Sequence, residues 1–323
     1  MTGVDALPET LEYEGEFGAE LVLFLPFVTW LSREGLLKNR RIVTYRGMRC
    51  FYEDIACAEL IEKREDRRYV PPTQRPAWLP VKNEHDFDKG QPSTRHFCPD
   101  LRSRFRAMPL SCGLEGESRP LLIIHNKHAN EWGKGPVNAI GMATLDAIFC
   151  ALKHEFIIVY MRHGMAEADS GYVGDHNEVF CDFDDRALLR RHPDVLVFGD
   201  LFATHRRATG DADLNRFKMA LMARCHRFIS SQGGGAHQIA LLSGSMFVVL
   251  HRWGFEEHWA YDEGYYAFMA RVPPLLAVCR NDQDLIRAIQ LFPGSVVVGD
   301  RCLPGRGAAP ILAALAPDSL SRR

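Results

Sequence analysis

The sequence predicts an α/β protein of two lobes, each a parallel sheet wrapped by helices, facing one another across a cleft. Three observations predict this. Downstream of Arg119, short β-rich apolar runs alternate with helical windows, as in a parallel sheet covered by helices. At Phe228–Leu242 an apolar strand runs into three consecutive glycines and leaves them as a helix. The segment Glu14–Leu21 repeats that strand, glycine turn and helix, with carboxylates where the later turn has glycines.

Composition sets the outer bounds. A chain of 323 residues accommodates two domains of ordinary size, and 46% apolar residues, 25% charged residues and a formal charge of -2 describe a folded globule. Nothing in that balance advertises a nucleic-acid partner. Near-neutrality says nothing about a nucleotide, because a phosphate pocket needs only one or two cations and some backbone N–H groups. The nine cysteines (50, 57, 98, 112, 150, 181, 225, 279 and 302) are scattered, with no C-x-x-C pair, and read as reduced thiols. The N-terminus lacks a basic leader and carries acids at Asp5, Glu9, Glu12, Glu14 and Glu16. The most apolar stretch, Leu21–Leu31, falls short of the roughly 20 residues that span a bilayer. A cytoplasmic protein with no transmembrane segment is the expectation.

The elements follow in order. Thr10–Glu14 reads as a strand, Glu20–Leu37 as an apolar helix interrupted by Pro26, and Ile42–Tyr45 as a second strand. Between 70 and 99 the pattern dissolves into prolines and charges, which predicts a long loop acting as a lid or insertion. Residues 1–118 are read as the N-terminal lobe and 119–323 as the C-terminal lobe. In the latter the predicted strands are Leu121–His125, Phe156–Met161, Val195–Phe198, Arg227–Ser231, Met246–His251 and Leu275–Cys279. Helices are predicted at Val137–Lys153, Asp184–Arg191, Asp213–Cys225, His237–Leu242 and Asp282–Leu291, the last capped by Asn281 or Asp282. The tail after Arg301 reads as a short helix with a frayed end.

The turn Ser230–His237 is the sharpest candidate site. Gly233, Gly234 and Gly235 permit positive φ and close approach of a ligand, and the following helix offers its N–H groups and positive end to a phosphate. Three glycines exceed what a bare β–α turn requires, and the pattern is not the dinucleotide G-x-G-x-x-G, which disfavours NAD. The strand Leu121–His125 empties into a polar loop carrying Asn126, Lys127 and Lys134. Since ligands of open α/β sheets collect beyond the carboxyl ends of strands, this loop and the glycine turn would share a crevice. Lys127 or Lys134 would neutralise a diphosphate leaving group, with Asn126 as a neutral donor; a solvated loop is the alternative for each.

A third strand end offers Arg162 as a bidentate phosphate ligand, or as the partner of Glu167, Asp169 or Asp175, and His163 as a general acid or a structural hydrogen-bonder. In the N-terminal turn, Glu20 or Glu16 would accept a proton from an attacking hydroxyl. Alternatively, Glu20 only favours the first helical turn and Glu16 is merely exposed. Glu256-Glu257-His258 and Asp262-Glu263, interleaved with Trp253, Trp259, Tyr261, Tyr265 and Tyr266, suit stacking on a base or sugar ring, or an ordinary amphipathic surface. No spacing there specifies a metal.

In this order the pieces resemble glycosyltransferases of the GT-B type, most closely the heptosyltransferase-like group. That family begins a helix with a Gly-Asp turn, its acid six residues before a proline and proposed as base; here Glu20 stands six before Pro26, with Ala19 in place of the glycine and Glu16 as rival. Leu121–Lys153 looks like the opening of its second domain. The family's donor turn Asp-(Ser/Thr)-Gly-x-x-His-Leu-Ala is similar to Gln232–Ala240, which places His237 at the histidine and puts Gln232 where the family has an acid associated with the donor sugar. The resemblance covers roughly residues 119–292 and is thin before them. It implies two Rossmann-like lobes and metal-independent, inverting transfer of a sugar other than heptose, as in polysaccharide biosynthesis. The partners would be a nucleotide sugar, as co-substrate with no separate cofactor, and a glycan or small-molecule acceptor. Donor-binding residues would be Asn126, Lys127, Arg162, Gln232, Gly233, Gly234, Gly235 and His237. The alternatives are a polysaccharide pyruvyl transferase, a sugar-nucleotide epimerase or a non-catalytic binder of nucleotide sugar or glycan.

Overall fold

The computed structural model describes residues 7–82, 96–130, 133–163, 179–180, 183–261 and 264–315. It is an α/β structure built on two parallel sheets. The first holds β1 (Thr10–Glu12), β2 (Arg41–Tyr45) and β3 (Glu59–Lys63) in sequence order, all parallel. Between β1 and β2 lie α1 (Phe17–Ala19), a π-helical turn at Glu20–Phe24 and α2 (Leu25–Arg33); α3 (Arg49–Tyr52) precedes β3 and α4 (Leu101–Arg106) follows it.

The interruption predicted at Pro26 is a change of helix type and not an end, since α1 passes through the π turn into α2. The π turn closes with the Leu25 N–H donating to the Glu20 carbonyl, and Pro26 sits in the first turn of α2. There its fixed φ fits the helix, and the π turn before it absorbs the interruption of the hydrogen-bond ladder. β3 escaped the sequence reading because its residues Glu59-Leu60-Ile61-Glu62-Lys63 mix charge into an edge strand. Part of the predicted loop 70–99 packs instead as core: Pro72–Gln74 makes a 3₁₀ turn, Leu79 and Val81 are buried, and Trp78 stacks on Phe27 at 6.2 Å. Residues 83–95 lie outside the described residues.

The second lobe contains β4 (Leu121–Lys127), β5 (Ala129–Asn130), α5 (Met142–Leu152), β6 (Ile157–His163), β7 (Val179–Phe180), α6 (Asp185–Arg191), β8 (Leu196–Val197), α7 (Phe198–Thr209) and α8 (Leu214–Arg224). It continues through β9 (Arg227–Ser231), α9 (Gly234–Ala240), β10 (Met246–Leu250), α10 (Glu256–Trp259), β11 (Leu275–Cys279) and α11 (Asp282–Ala288), and its described part ends with the antiparallel pair β12 (Val296–Val298) and β13 (Arg301–Leu303) and with α12 (Ala308–Leu315). Asn281 caps α11 by accepting from the Asp284 N–H. The frayed end expected after α12 lies outside the described residues.

The main sheet is parallel in the order β11-β10-β9-β4-β6-β8. The chain thus winds outward from β4 through β6 to β8, then crosses back to the other side of β4 and continues outward through β9, β10 and β11. Helices cover both faces. One apolar cluster joins Leu122, Ile124, Ile158 and Val248 to α5 and α11; the other joins Ile123, Val159, Phe228 and Val249 to α8 and α9. Burial on both faces is why these strands are near-continuous apolar runs.

That second cluster continues without a break into the N-terminal lobe through Phe17, Leu21, Phe24 and Phe51. α4 clamps the two together. Its Arg102 donates to the carbonyls of Ala223, Cys225 and Ser243 in one lobe, while Arg104 donates to the Cys50 and Phe51 carbonyls of the other. The lobes are therefore packed on each other over a shared core. Among the described residues no helix is long and apolar enough to cross a membrane.

Candidate functional site

The winding reverses between β4 and β9, and in open α/β sheets ligands collect beyond the carboxyl ends of the strands at such a reversal. Lys127 ends β4, and the triple-glycine turn follows β9. The structure brings them together: a Cβ built on Gly233 would stand 3.5 Å from the Lys127 Cδ and 3.7 Å from its Nζ. The acidic N-terminal turn closes the same place from the other lobe, since Gly18 packs against the His237 ring and Phe17 against Gly234.

Each glycine of the triplet has a packing reason. Gly233 has φ 139°, in the region that favours glycine; a Cβ on Gly234 would lie 2.7 Å from the Phe17 ring; one on Gly235 would lie 2.1 Å from the His125 ring. The number of glycines is thus accounted for by backbone conformation at Gly233 and close packing at Gly234 and Gly235, and the case for a ligand rests on position. The N–H groups of Gly234 and Gly235 stand in the first turn of α9, ahead of its first internal bond, from Ala236 to the Gly233 carbonyl. His125, which the sequence reading passed over, is buried beneath this turn, with Nδ1 3.3 Å from the Ser230 hydroxyl.

Several predicted ligands are occupied elsewhere. Asn126 is buried: its amide donates to the Ile140 carbonyl at 3.1 Å and its oxygen accepts from the N–H groups of Lys127 and Ile140. Arg162 is held bidentate by Asp185, at 2.5 and 3.2 Å, and Tyr160 donates to the same carboxylate. Asp185 is the partner here; Glu167, Asp169 and Asp175 lie outside the described residues, as does the His163 side chain. Lys134 sits over the Trp253 ring at 4.4 Å. Gln232 is locked between Tyr261, which donates to its oxygen at 2.5 Å, and Tyr266; His237 Nδ1 meets the Tyr266 hydroxyl at 2.7 Å.

The two candidate bases have different surroundings. Glu20 is 0% exposed and Arg67 1%, and they pair at 2.7 Å. The other Glu20 oxygen accepts from Thr44 and, at 2.8 Å, from Tyr52, whose hydroxyl burial and then Glu20 hold well above the phenol range. Arg67 also stacks on the Tyr45 ring at 4.2 Å and reaches the Gly15 carbonyl at 3.4 Å. A carboxylate so enclosed is part of the scaffold of its turn. Glu16 is half-buried at the start of α1, with its carbonyl accepting from Tyr13, one residue before the Phe17–Gly18 contact with the glycine turn.

Most of the predicted stacking aromatics are core. Trp259, Tyr261 and Tyr266 are buried around His237 and Gln232, and buried Tyr265 packs on Trp259 and donates to the Val22 carbonyl. Glu256 and Glu257 flank buried His251, Glu257 also meets Arg280, and Arg280 lies 3.0 Å from His251. These groups form an ion network. Asp262 and Glu263 lie outside the described residues.

No family model matches the chain, and no curated protein matches it. Among solved structures it is similar to the ADP-heptose LPS heptosyltransferase II of E. coli, at 10% identity and a TM-score of 0.47, over 90% of this chain and 91% of that one.

Proposed function

We propose that the chain is a glycosyltransferase that moves a sugar from a nucleotide-sugar donor to a hydroxyl of a glycan or small-molecule acceptor. The observation that carries this reading is the meeting, at the reversal point of the main sheet, of Lys127 and the glycine turn with the carboxylate-bearing turn of the other lobe. Inverting transfer needs a base and a leaving-group stabiliser on opposite sides of the anomeric carbon. Glu16 supplies the base: it takes the acceptor proton as the acceptor oxygen forms its bond to the anomeric carbon. The bond to the diphosphate oxygen breaks with its electron pair, and the charge falls on Lys127 and the amides of Gly234 and Gly235. His237 and Gln232 shape the floor of the turn through Tyr266 and Tyr261. These groups need no metal for that step. The loss of an acid at Gln232, together with the family resemblance, favours a sugar other than heptose.

The test begins with thermal-shift ranking of UDP, GDP, ADP and CMP sugars, since a ligand of the native state raises stability with its affinity. Acceptors are then screened by release of the nucleotide, a nucleoside diphosphate from UDP, GDP and ADP sugars and CMP from CMP sugars. Glu16→Gln should lower turnover about 10²- to 10⁴-fold with donor binding retained. Lys127→Met should weaken donor binding about ten- to a hundredfold, as expected for a lost charge-assisted hydrogen bond. Unchanged turnover in Glu16→Gln sinks the base assignment. Conversion of a donor with no acceptor present would indicate an epimerase.

A further inference from the structure

We propose that Asp146, Cys150 and His192 form a binding site for a divalent metal of the zinc type on the outer side of the C-terminal lobe. The sequence hides this cluster, because the histidine lies far along the chain from the other two. Asp146 and Cys150 stand four residues apart on α5 and so share one helical face. His192 terminates α6, where the backbone leaves the helix at φ -122° and ψ 67°. One donor atom from each residue lies within 4.8 Å of the other two.

The geometry is partly preorganised. His192 is 4% exposed and its ring is set edge-on against Phe149, with centroids 5.3 Å apart, which directs Nε2 to 2.8 Å from an Asp146 oxygen. Its Nδ1 is buried with no hydrogen-bond partner. The Asp146 carboxylate only accepts, so Nε2 carries the proton in this arrangement, and a metal at Nε2 requires the ring's proton to move to Nδ1. Cys150 is exposed, so its sulfur can swing inward. Tetrahedral bonds of about 2.0–2.3 Å set donor atoms about 3.3–3.6 Å apart, so the sulfur closes in and the Asp146–His192 contact opens by about half an ångström. Arg191 approaches the same Asp146 oxygen at 3.3 Å, but its side chain is 66% exposed and can leave.

The donor set decides the metal. A thiolate, an imidazole and a carboxylate select zinc or cobalt, whereas magnesium and calcium require oxygen ligands. Asp146 and Cys150 lie toward the surface, with His192 buried behind them. The site ties α5 to the end of α6, on the sheet face opposite α9. It therefore acts on the stability of the lobe, and it stands whether or not the transferase reading does.

The test uses full-length protein stripped with a chelator. Cobalt(II) should produce thiolate-to-metal charge-transfer absorption in the near ultraviolet, zinc should displace it, and zinc should raise the melting temperature where magnesium does not. Cys150→Ser and His192→Gln should each abolish the absorption, and Cys57→Ser should retain it. Because His192 is buried, Asp146→Asn at the rim provides a second arm, with cobalt affinity lowered about tenfold or more. Absence of the band in the parent protein overturns the site. So does its persistence in Cys150→Ser or in folded His192→Gln, or unchanged cobalt affinity in Asp146→Asn.

Discussion

The two glycine turns that meet at the lobe contact are built alike in sequence and supported by opposite means. Each follows a parallel strand and opens a helix, yet the N-terminal turn rests on a buried ion pair, Glu20 with Arg67, while the C-terminal turn rests on uncharged partners, Gln232 with Tyr261 and Tyr266, and on the His125 ring. A buried pair is strongly destabilising to break from one side, because the survivor is left charged without a partner. A tyrosine–amide contact carries about 1 kcal/mol. The lesson is that a carboxylate standing where the sequence pattern puts a base can be held in the scaffold of its turn.

Substitutions at the two supports would sharpen or break this contrast. Arg67→Met should lower unfolding free energy by about 3–5 kcal/mol in urea titrations. Arg67→Met combined with Glu20→Leu should recover a large part of that loss; no recovery would mean that the pair is not what holds the turn. On the other side, Gly235→Ala drives a methyl into His125 and should cost about 1–3 kcal/mol by the same measurement. Gly234→Val would collide with Phe17 and disturb the lobe contact, so it is a poor probe of phosphate binding alone. The smallest effect is expected at Tyr261→Phe, about 1 kcal/mol, because it removes one hydrogen bond to Gln232 and leaves the packing.

Acid tests the strand beneath the neutral turn. Burial, then Arg102, lowers the His226 pKa from 6.5 to about 4. The unfolded chain therefore binds this proton first as pH falls. The contribution of His226 is fully present above about 6.5 and is lost progressively from there down to about 4. His226→Asn should flatten the stability profile across that window, read from melting temperatures at stepped pH; an unchanged slope would place the acid sensitivity elsewhere.

Much of the fold was legible. β9 and β11 occupy the ranges that the apolar runs predict, and the other predicted strands of the main sheet differ from them only at their ends. α7 was not anticipated, because its amphipathic sequence begins directly where β8 stops. At the site, Lys127 and the glycine turn were placed together correctly by the rule that crevices form beyond strand ends. Asn126 and Arg162, which satisfy the same rule, were not distinguishable from it: Asn126 turns back to Ile140, and Arg162 finds Asp185 across 23 residues.

The sequence alone determined where the strands of the main sheet run and that the chain reverses into glycines after β9, because burial on both faces demands long apolar runs and close packing demands residues without a Cβ. Only the tertiary structure decided which polar side chains were already committed. A hydrogen bond or ion pair satisfies a group through whatever folding brings within about 3 Å, and for Glu20, Arg162 and Gln232 that partner comes from 23 or more residues away.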